Sequence, residues 1–398
     1  MLAPVNSATR TRRIVAELLV VALDAALLVM AYRIDREWIS RHVTLLNFWP
    51  PRGDAGVWST LGRGLLVLLA VLVALGLRPA LISIASKVSI AWLKRSAVPV
   101  VLAIAASAIP LEGYLRWTEA KAREMRLLHP LRGVRHPRYG WIWQPSLTAT
   151  ERVDGRDIRW AINREGIRVR NQDDEPDPAL PTILFTGESI AAGSGLEYAE
   201  TYPELIAGRR GVQCVNLAAN AYGSDQAYLR LIDAMPRFQR LVATVTVFIP
   251  VQLSRNLHDH RPRLVLRPTG DLELVAPATD FLSRLRIRNL LWNELPYLGD
   301  RAIDRTLTLT SAILRETSIR TRARGAAPLF VIPSYGPKRT LGEHQEAWVL
   351  RALFVQQGLP FILVDIPPDQ LLSGEPHPGP RGEEMIAEAI LAALPPEL

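Results

Sequence analysis

The chain has very little cysteine: Cys214 is the only one in 398 residues. A single thiol excludes an intrachain disulfide and any metal site built from several cysteines. The His, Asp and Glu residues form no cluster with recognised metal-ligand spacing, so neither a metal nor another cofactor is expected. Cys214 falls in a strand-like segment, residues 211–216, where we expect it to serve as buried packing.

The chain also lacks a recognisable nucleic-acid-binding motif, although its formal net charge is +8. Its basic residues are spread along the sequence instead of forming one patch, so nucleic acid is not an expected partner. A basic domain close to a membrane would suit anionic lipid heads or an anionic glycan. A solvated arginine-rich surface without any partner explains the same charge equally well.

Hydrophobic residues are abundant, at 48% of the chain, and three long apolar runs lie near the N-terminus. With their flanks, these runs reach the ~20 residues of a membrane-spanning helix. The sequence therefore predicts a membrane region over residues 1–115, with transmembrane helices at about 14–32, 62–84 and 97–115. Core helices of a soluble domain and, for the first run, a cleaved signal peptide are the alternatives. Three such runs in one short region favour a lipid bilayer as a partner.

The basic residues flanking these runs indicate an orientation. Arg10, Arg12 and Arg13 precede the first run, and the stretch between the second and third runs is also basic. The loop between the first and second runs carries arginines too, so the bias is modest, and it favours a cytoplasmic N-terminus. Three crossings would then place everything after residue 115 on the periplasmic or outer side of a bacterial plasma membrane.

Two further regions follow the membrane region. Residues 116–180 are predicted to form a juxtamembrane segment and a small β-hairpin region, because polar and apolar residues alternate around a turn signal at Asp154-Gly155. From 181 to 398, short apolar strands alternate with helices, which predicts an α/β domain with a parallel sheet covered on both faces. The predicted strands are 182–186, 212–217, 242–249, 328–333 and 361–365, and the predicted helices are 200–209, 224–235, 300–323, 340–357 and 382–393.

Ser189 is the first candidate functional residue. It belongs to the turn Gly187-Glu188-Ser189, which directly follows the predicted strand 182–186. A serine on such a turn is accessible and lies close to backbone N–H groups, as a nucleophile and its oxyanion require. Ordinary turns also collect serine and glycine for backbone reasons, so the motif alone leaves both interpretations open.

His377, one of only seven histidines, is the candidate general base. It would accept the proton of Ser189, while Glu375 would orient the imidazole and stabilise its charged form. This carboxylate–imidazole–hydroxyl arrangement depends on geometry and not on chain order. A solvated loop histidine is the alternative for a lone His in this position.

Three segments together resemble the SGNH (GDSL-type) hydrolase superfamily. Residues 187–189, Gly-Glu-Ser, resemble its Gly-Asp-Ser block; residues 215–226 resemble its second block; and residues 375–378, Glu-Pro-His-Pro, resemble its Asp-x-His-Pro block. The resemblance covers about residues 140–395. It implies a membrane-anchored bacterial member with a flavodoxin-like, three-layer αβα fold, and a Ser-His-acid mechanism on an acyl ester.

The chain departs from the family pattern at the acidic positions. Glu188 stands where the family usually has aspartate, and Glu375 replaces the usual acid of the triad. A glutamate still reaches its partner, but its longer side chain shifts the geometry, and small misplacements cost up to ~100-fold in rate. Gly187 and Glu188 are therefore assigned supporting roles.

The oxyanion hole that the resemblance implies also departs from the pattern. Ser189 and Ala221 would supply backbone N–H groups, and Ala221 replaces a glycine, which requires that its φ be negative. The usual Gly-x-Asn-Asp block is missing after the predicted strand 242–249. Gln252 is the first candidate for the side-chain donor, and Asn256 is the second.

The predicted topology independently supports a common site. Ser189, Ala221 and Gln252 follow the first three predicted strands, and the carboxyl ends of parallel strands form the ligand crevice of such sheets. Three functions then remain open. The first is a membrane-anchored serine ester hydrolase acting outside the cytoplasm. The second is an O-acyltransferase that modifies a cell-surface polysaccharide beside other membrane proteins. The third is a catalytically weakened glycan-binding or assembly protein.

Overall fold

The structure is a computed structural model that describes residues 7–44, 55–87, 90–128, 131–291, 297–335, 348–373 and 377–395. The described residues form two compact units, one up to Trp117 and one from Thr118 onward.

The first unit consists of helices. They are α1 (Ser7–Arg33), α2 (Arg36–Ile39), α3 (Ala55–Val71), α4 (Arg78–Lys87) and α5 (Ile90–Leu128), with a π-helical stretch, Leu72–Leu77, between α3 and α4. A small core joins α1 to α3 and α4 through residues such as Ala16, Val20 and Ile82. Many other apolar side chains of these helices are exposed, including Leu18 at 63% and Leu75 at 80%. This unit therefore presents an apolar outer surface.

Two helical stretches of this unit are long and apolar enough to cross a membrane, Arg13–Arg33 and Gly56–Ser83. They qualify by length and composition only, and a signal sequence or the core helix of a soluble protein has the same features. The first two predicted spans fall on these stretches. The third predicted span, about 97–115, lies inside α5, which contains Pro99 and Pro110, and it stays a prediction.

The second unit is built on one large sheet. Its strands, with those of two separate hairpins, are β1 (Gly133–His136), β2 (Gly140–Trp143), β3 (Leu147–Val153), β4 (Arg156–Ile162), β5 (Arg168–Val169), β6 (Pro181–Thr186), β7 (Gln213–Asn216), β8 (Arg240–Val247), β9 (Arg263–Leu266), β10 (Leu272–Val275), β11 (Ala327–Tyr335) and β12 (Phe361–Ile366). Its helices are α6 (Ser189–Ala192), α7 (Tyr202–Arg210), α8 (Ser224–Ala234), α9 (Val251–Arg255), α10 (Arg286–Asn289), α11 (Asp300–Ala323) and α12 (Pro380–Ala393).

The eight strands of the sheet run in the order β12-β11-β8-β6-β7-β5-β4-β3. The pairs from β12 to β7 are parallel. Numbered along the chain, these five strands have the order 2-1-3-4-5, which is the flavodoxin-like arrangement. The predicted α/β class with a parallel sheet is confirmed.

Helices cover both faces of the parallel part of the sheet. Ile183 and Phe185 of β6 pack in a cluster with residues of α7 and α12, whereas Leu184 packs on the other face with residues of α8. Successive strand residues point to opposite faces, so one apolar run serves two cores. The result is the predicted three-layer αβα arrangement.

The boundary predicted at residue 180 does not separate two structural units. The predicted hairpin exists as β3 and β4, and its turn residues Asp154 and Gly155 both have positive φ, 51° and 75°, as a type I′ turn requires. Through β5, however, this hairpin pairs antiparallel with β7 and extends the central sheet. The fully buried Trp160 of β4 belongs to the same core as Phe185. The alternation of polar and apolar residues predicted the strands of the hairpin but not their pairing with the central sheet.

Gly187 shapes the turn that follows β6. Its φ is 150°, and a Cβ at this position would lie 2.9 Å from the Ala191 Cβ and 3.0 Å from the Val247 Cβ. Both the backbone conformation and the close packing therefore demand glycine. This turn fixes where the chain leaves the sheet and where Ser189 begins the next helix.

We expect Gly187→Ala to destabilise the protein more than Gly155→Ala does. The control position also has positive φ, but nothing lies within 4 Å of its Cβ position, so it reports the backbone cost alone. Backbone strain of this kind costs about 1–3 kcal/mol, and only Gly187→Ala adds a steric clash. Thermal unfolding of the full chain in detergent measures both; equal losses would show that the packing around Gly187 is not tight.

Candidate active site

Ser189 is the first residue of α6, at the carboxyl end of β6. Since β6 lies between β7 and β8, at the point where the strand order reverses, its end opens on the crevice that ligands use in such sheets. The helix is only one turn long and ends at Gly193, which adopts the left-handed conformation. Ser189 is 9% exposed. The fold thus holds a nearly buried hydroxyl at the edge of the crevice.

The structure places His377 beside Ser189. The distance between His377 Nε2 and Ser189 Oγ is 2.9 Å, within hydrogen-bonding range, across 188 residues of sequence. His377 precedes α12, and its carbonyl accepts a hydrogen bond from the backbone N–H of Leu372. The proposed acid, Glu375, lies outside the described residues, and its role stays a prediction.

Glu188 contacts Ser189, the predicted nucleophile, more closely than the sequence indicated. Its side chain is fully buried and caps α6, accepting from the backbone N–H groups of Ser189 at 2.6 Å and Ile190 at 3.1 Å. The same carboxylate also accepts a short hydrogen bond from Ser189 Oγ. The Ser189 N–H, predicted to bind the oxyanion, is therefore already engaged by a carboxylate. The hydroxyl proton has two competing acceptors, Glu188 and His377.

The two predicted side-chain donors of the oxyanion hole point into the interior. Gln252 accepts from Ser224 Oγ at 2.8 Å and donates to the Val247 carbonyl at 3.2 Å. Asn256 donates to Thr310 Oγ1 at 2.8 Å. Both side chains are 1% exposed. The expectation that one of them completes the hole is not met by this arrangement, because their hydrogen-bonding groups are used to join α9 to neighbouring helices.

Ala221 differs from the sequence expectation in its backbone. Its φ is 62°, so the assumption of a negative φ was wrong. An alanine in this region is strained, which makes the glycine of the family pattern understandable and its absence here costly. Ala221 is exposed at the end of the loop that follows β7.

The loop between β7 and α8 is held by residues of the β2 strand that sequence reasoning missed. Trp141 Nε1 donates to the Asn220 carbonyl at 3.0 Å, and Trp143 Nε1 donates to the Ala218 carbonyl at 3.2 Å. In return, the Tyr222 hydroxyl donates to the Trp141 carbonyl at 2.5 Å. The closely spaced aromatic residues at 139–143 are the sequence feature that could have indicated this role. These contacts pin the strained loop beside Ser189.

A buried arginine braces the other end of α6. Arg168 of β5 donates to the carbonyls of Ala192 at 2.8 Å, Gly193 at 2.7 Å and Leu196, and its guanidinium lies 3.6 Å from the centre of the Trp160 ring. Burial lowers the pKa of Arg168 to about 10. The guanidinium thus satisfies the carbonyls that a one-turn helix leaves unpaired.

Glu383, in the first turn of α12, is another fully buried carboxyl group near the site. It accepts from the Tyr202 backbone N–H at 2.8 Å. Burial raises the pKa of Glu383 to about 8, against the opposing effects of that N–H and of the positive charge on Arg168. The group is therefore mostly neutral at pH 7, and it is not a second anion beside Glu188.

No family model matches the chain, and no curated protein sequence matches it. Its structural neighbours include G-D-S-L lipolytic proteins and carbohydrate esterases. A G-D-S-L family protein from Desulfitobacterium hafniense DCB-2 is 11% identical, with a TM-score of 0.33, and the match covers 54% of this chain and 99% of that one.

Two other structural neighbours have similar TM-scores. The acetyl xylan esterase Est2A from Butyrivibrio proteoclasticus is 10% identical, with a TM-score of 0.34, over 56% of this chain and 64% of that one. TesA is 16% identical, with a TM-score of 0.32, over 55% of this chain and 99% of TesA. Likenesses of this strength carry no information about the activity or the substrate of this chain.

Glu383→Gln should change how stability depends on pH. The pKa of Glu383 is higher in the folded chain, about 8, than its ordinary value of 4.5. Between these values the folded state keeps a proton that the unfolded chain has released, so stability falls as pH rises through that window. Glutamine does not titrate and still accepts the Tyr202 N–H. We therefore expect the melting temperature of the variant, relative to the unmodified chain, to rise between about pH 5 and pH 8.

The matched control is Glu384→Gln, at the neighbouring exposed residue, which pairs with Arg381. Melting curves of both variants across the pH range provide the measurement. A Glu383→Gln profile parallel to that of the control would show that Glu383 is ionised in the folded chain.

Proposed function

We propose that this chain is an SGNH-type serine ester hydrolase, anchored in the plasma membrane and acting on an acyl ester outside the cytoplasm. The observation that carries the proposal is the 2.9 Å contact between Ser189 Oγ and His377 Nε2. It joins two residues that the motif blocks select independently, at the carboxyl edge of a flavodoxin-like sheet. A serine that served only to form the turn would not require a hydrogen bond to a histidine 188 residues away.

In the proposed mechanism, Ser189 Oγ attacks the ester carbonyl carbon while His377 Nε2 accepts the hydroxyl proton. The tetrahedral intermediate then collapses, and His377 returns the proton to the leaving alkoxide. Water, deprotonated by the same imidazole, hydrolyses the acyl-enzyme. Glu375 would orient the imidazole and stabilise its positive charge. No cofactor takes part in these steps.

The membrane part of the proposal rests on the apolar outer surface of the first unit. Leucines exposed at 63% and 80% on long helices are costly in water and suited to lipid. A cytoplasmic N-terminus, an odd number of crossings and a periplasmic hydrolase domain complete the proposal. An acyl-ester or glycan substrate, and other membrane proteins of a polysaccharide system, are the proposed partners.

A specific observation favours the catalytically weakened alternative. The Glu188 carboxylate occupies the Ser189 N–H, where an oxyanion would need a donor, and adds negative charge beside it. Neither Gln252 nor Asn256 has its side-chain amide available to the site. A glycan-binding or assembly protein on this fold would tolerate both features, whereas an efficient hydrolase must compensate for them.

Ser189→Ala should abolish acyl-enzyme formation. The full chain in detergent is mixed with an activated acetyl or butyryl ester, and the release of leaving group is followed from the first turnover. We expect a burst close to one equivalent, lost in Ser189→Ala and kept in Ser318→Ala, whose buried serine lies on α11 away from the site. Fast turnover after the burst identifies a hydrolase.

The same experiment separates the alternatives. An acyl-enzyme that is stable in water and is released only by a sugar acceptor identifies the acyltransferase. Equal background rates for the unmodified chain and Ser189→Ala, with matching melting curves, contradict both enzymatic functions and leave the binding or assembly protein.

Glu188→Gln should make Ser189 more reactive. The amide oxygen keeps one of the two α6 N–H hydrogen bonds and the other is lost, and the side chain no longer carries a negative charge beside the developing oxyanion. Two like charges ~4 Å apart repel by ~4 kcal/mol at an intermediate effective dielectric, so a gain of at least about tenfold is expected. The rate of covalent labelling by a fluorophosphonate measures it. A slower rate in a folded variant would instead give Glu188 a productive role in proton transfer.

A further inference from the structure

Helix α9 presents two different sets of side chains. Gln252 and Asn256, one turn apart, point into the interior and are used there. Arg255, on another side of the same helix, is partly exposed and donates from Nη1 to the Tyr222 carbonyl at 3.1 Å. The side-chain amides of Gln252 and Asn256 are therefore not available to the crevice, and the Arg255 guanidinium contacts the strained loop.

That loop and the end of β8, which leads into α9, both lie close to the turn that carries Ser189; the Ser194 N–H donates to the Ser189 carbonyl at 3.1 Å. The last residue of β8, Val247, lies against the Gly187 turn, and α9 follows β8 directly. At the other border, Ser194 Oγ donates to Asn220 Oδ1 at 2.9 Å, which ties the loop to the segment after α6. Arg255 therefore donates to the same loop that Ser194 joins to the segment after α6.

The opposite charges of Arg255 and Glu188 attract each other. Burial lowers the pKa of Arg255, the negative charge of Glu188 opposes this, and nearby Arg261 lowers the pKa further. Arg261 itself is paired with Asp225 through two hydrogen bonds of 2.9 and 3.0 Å. Among the described residues, no carboxylate lies within ion-pair distance of Arg255. A partly buried cation without an ion pair is costly, and such groups concentrate at functional sites.

We propose that the Arg255 guanidinium stabilises the oxyanion in this site, in the place of the missing side-chain amide. The proposal rests on the proposed ester hydrolase function and adds a catalytic residue to it. As the Ser189 Oγ–carbon bond forms, the carbonyl π pair moves onto oxygen and the hydroxyl proton moves to His377 Nε2. An N–H of Arg255 donates to that oxygen, and its positive charge offsets the negative charge of Glu188. When the intermediate collapses, the carbonyl re-forms and the leaving alkoxide takes the proton from His377.

A purely structural role for Arg255 is to brace the Tyr222 carbonyl. Arg255→Gln removes the charge, and because its amide nitrogen ends two bonds short of the Nη1 position it also weakens the brace; melting curves measure the loss of the brace and kcat measures the loss of the charge. Loss of one oxyanion donor lowers kcat by about 10²–10³-fold, and we expect a kcat loss in this range with KM changed less than about threefold. Arg255→Lys keeps the charge without the planar fork, and we expect it to retain at least about tenfold more kcat than Arg255→Gln.

The experiment uses the full chain in detergent, with a 4-nitrophenyl ester for kcat and KM and a 4-nitrophenyl phosphonate for covalent inactivation. The phosphonate forms a tetrahedral, charged adduct on Ser189, so its inactivation rate should fall in parallel with kcat. The matched control is Arg288→Gln, which removes an arginine that pairs with Asp259 in the same part of the chain. Melting curves accompany every variant.

Three results would overturn the proposal. An unchanged kcat in folded Arg255→Gln would show that Arg255 only supports the Tyr222 carbonyl and does not stabilise the oxyanion. A change in KM alone would assign Arg255 to ground-state substrate binding. Equal kcat losses in the Gln and Lys variants, with lowered melting temperatures, would also indicate a structural role. If the unmodified chain reacts no faster than Ser189→Ala, the proposed function itself fails, and that outcome is distinct because it precedes any change at Arg255.

Discussion

The turn from β6 into α6 is the constraint on which the rest of this site depends. Gly187 has a φ of 150° and packs with no room for a side chain between Ala191 and Val247. This conformation ends the central strand of a 2-1-3-4-5 sheet and begins a helix within two residues. Ser189 consequently emerges at the switch point of the sheet, where the end of β8 and the segment before α12 converge on it.

A one-turn helix cannot satisfy its own backbone, and the surrounding structure supplies the missing partners at both ends. The Glu188 carboxylate accepts hydrogen bonds from the N–H groups at the start of α6. The Arg168 guanidinium donates to the carbonyls at the end of this helix. Arg168 comes from the antiparallel strands that extend the sheet. The region before residue 180 is therefore a part of the site architecture and not only a connection to the helices that precede it.

The local electrostatics are a balance between opposite requirements. The carboxylate of Glu188 accepts the N–H groups at the start of α6, and Glu383 does not add a second charge, because burial raises its pKa to about 8. Arg255 donates to the Tyr222 carbonyl and forms no ion pair with a carboxylate of the described residues. The proposed reactivity of Ser189 would therefore depend on the same few charges that stabilise the turn.

The sequence by itself determined the features that depend on local pattern. Apolar runs located the helices of the first unit, and short apolar strands alternating with helices determined the parallel sheet. The position of Ser189 after a strand followed from the same pattern. A residue pattern cannot state side-chain direction or long-range partners, since these depend on how helices and strands pack.

Only the tertiary structure decided that Gln252 and Asn256 face inward, because the rotation of α9 is set by its packing against Thr310 and Ser224. It also decided that β5 pairs with β7 and so brings Arg168 beneath α6. Local sequence specifies which residues stand at the ends of the strands; the packing of the layers specifies which of them meet.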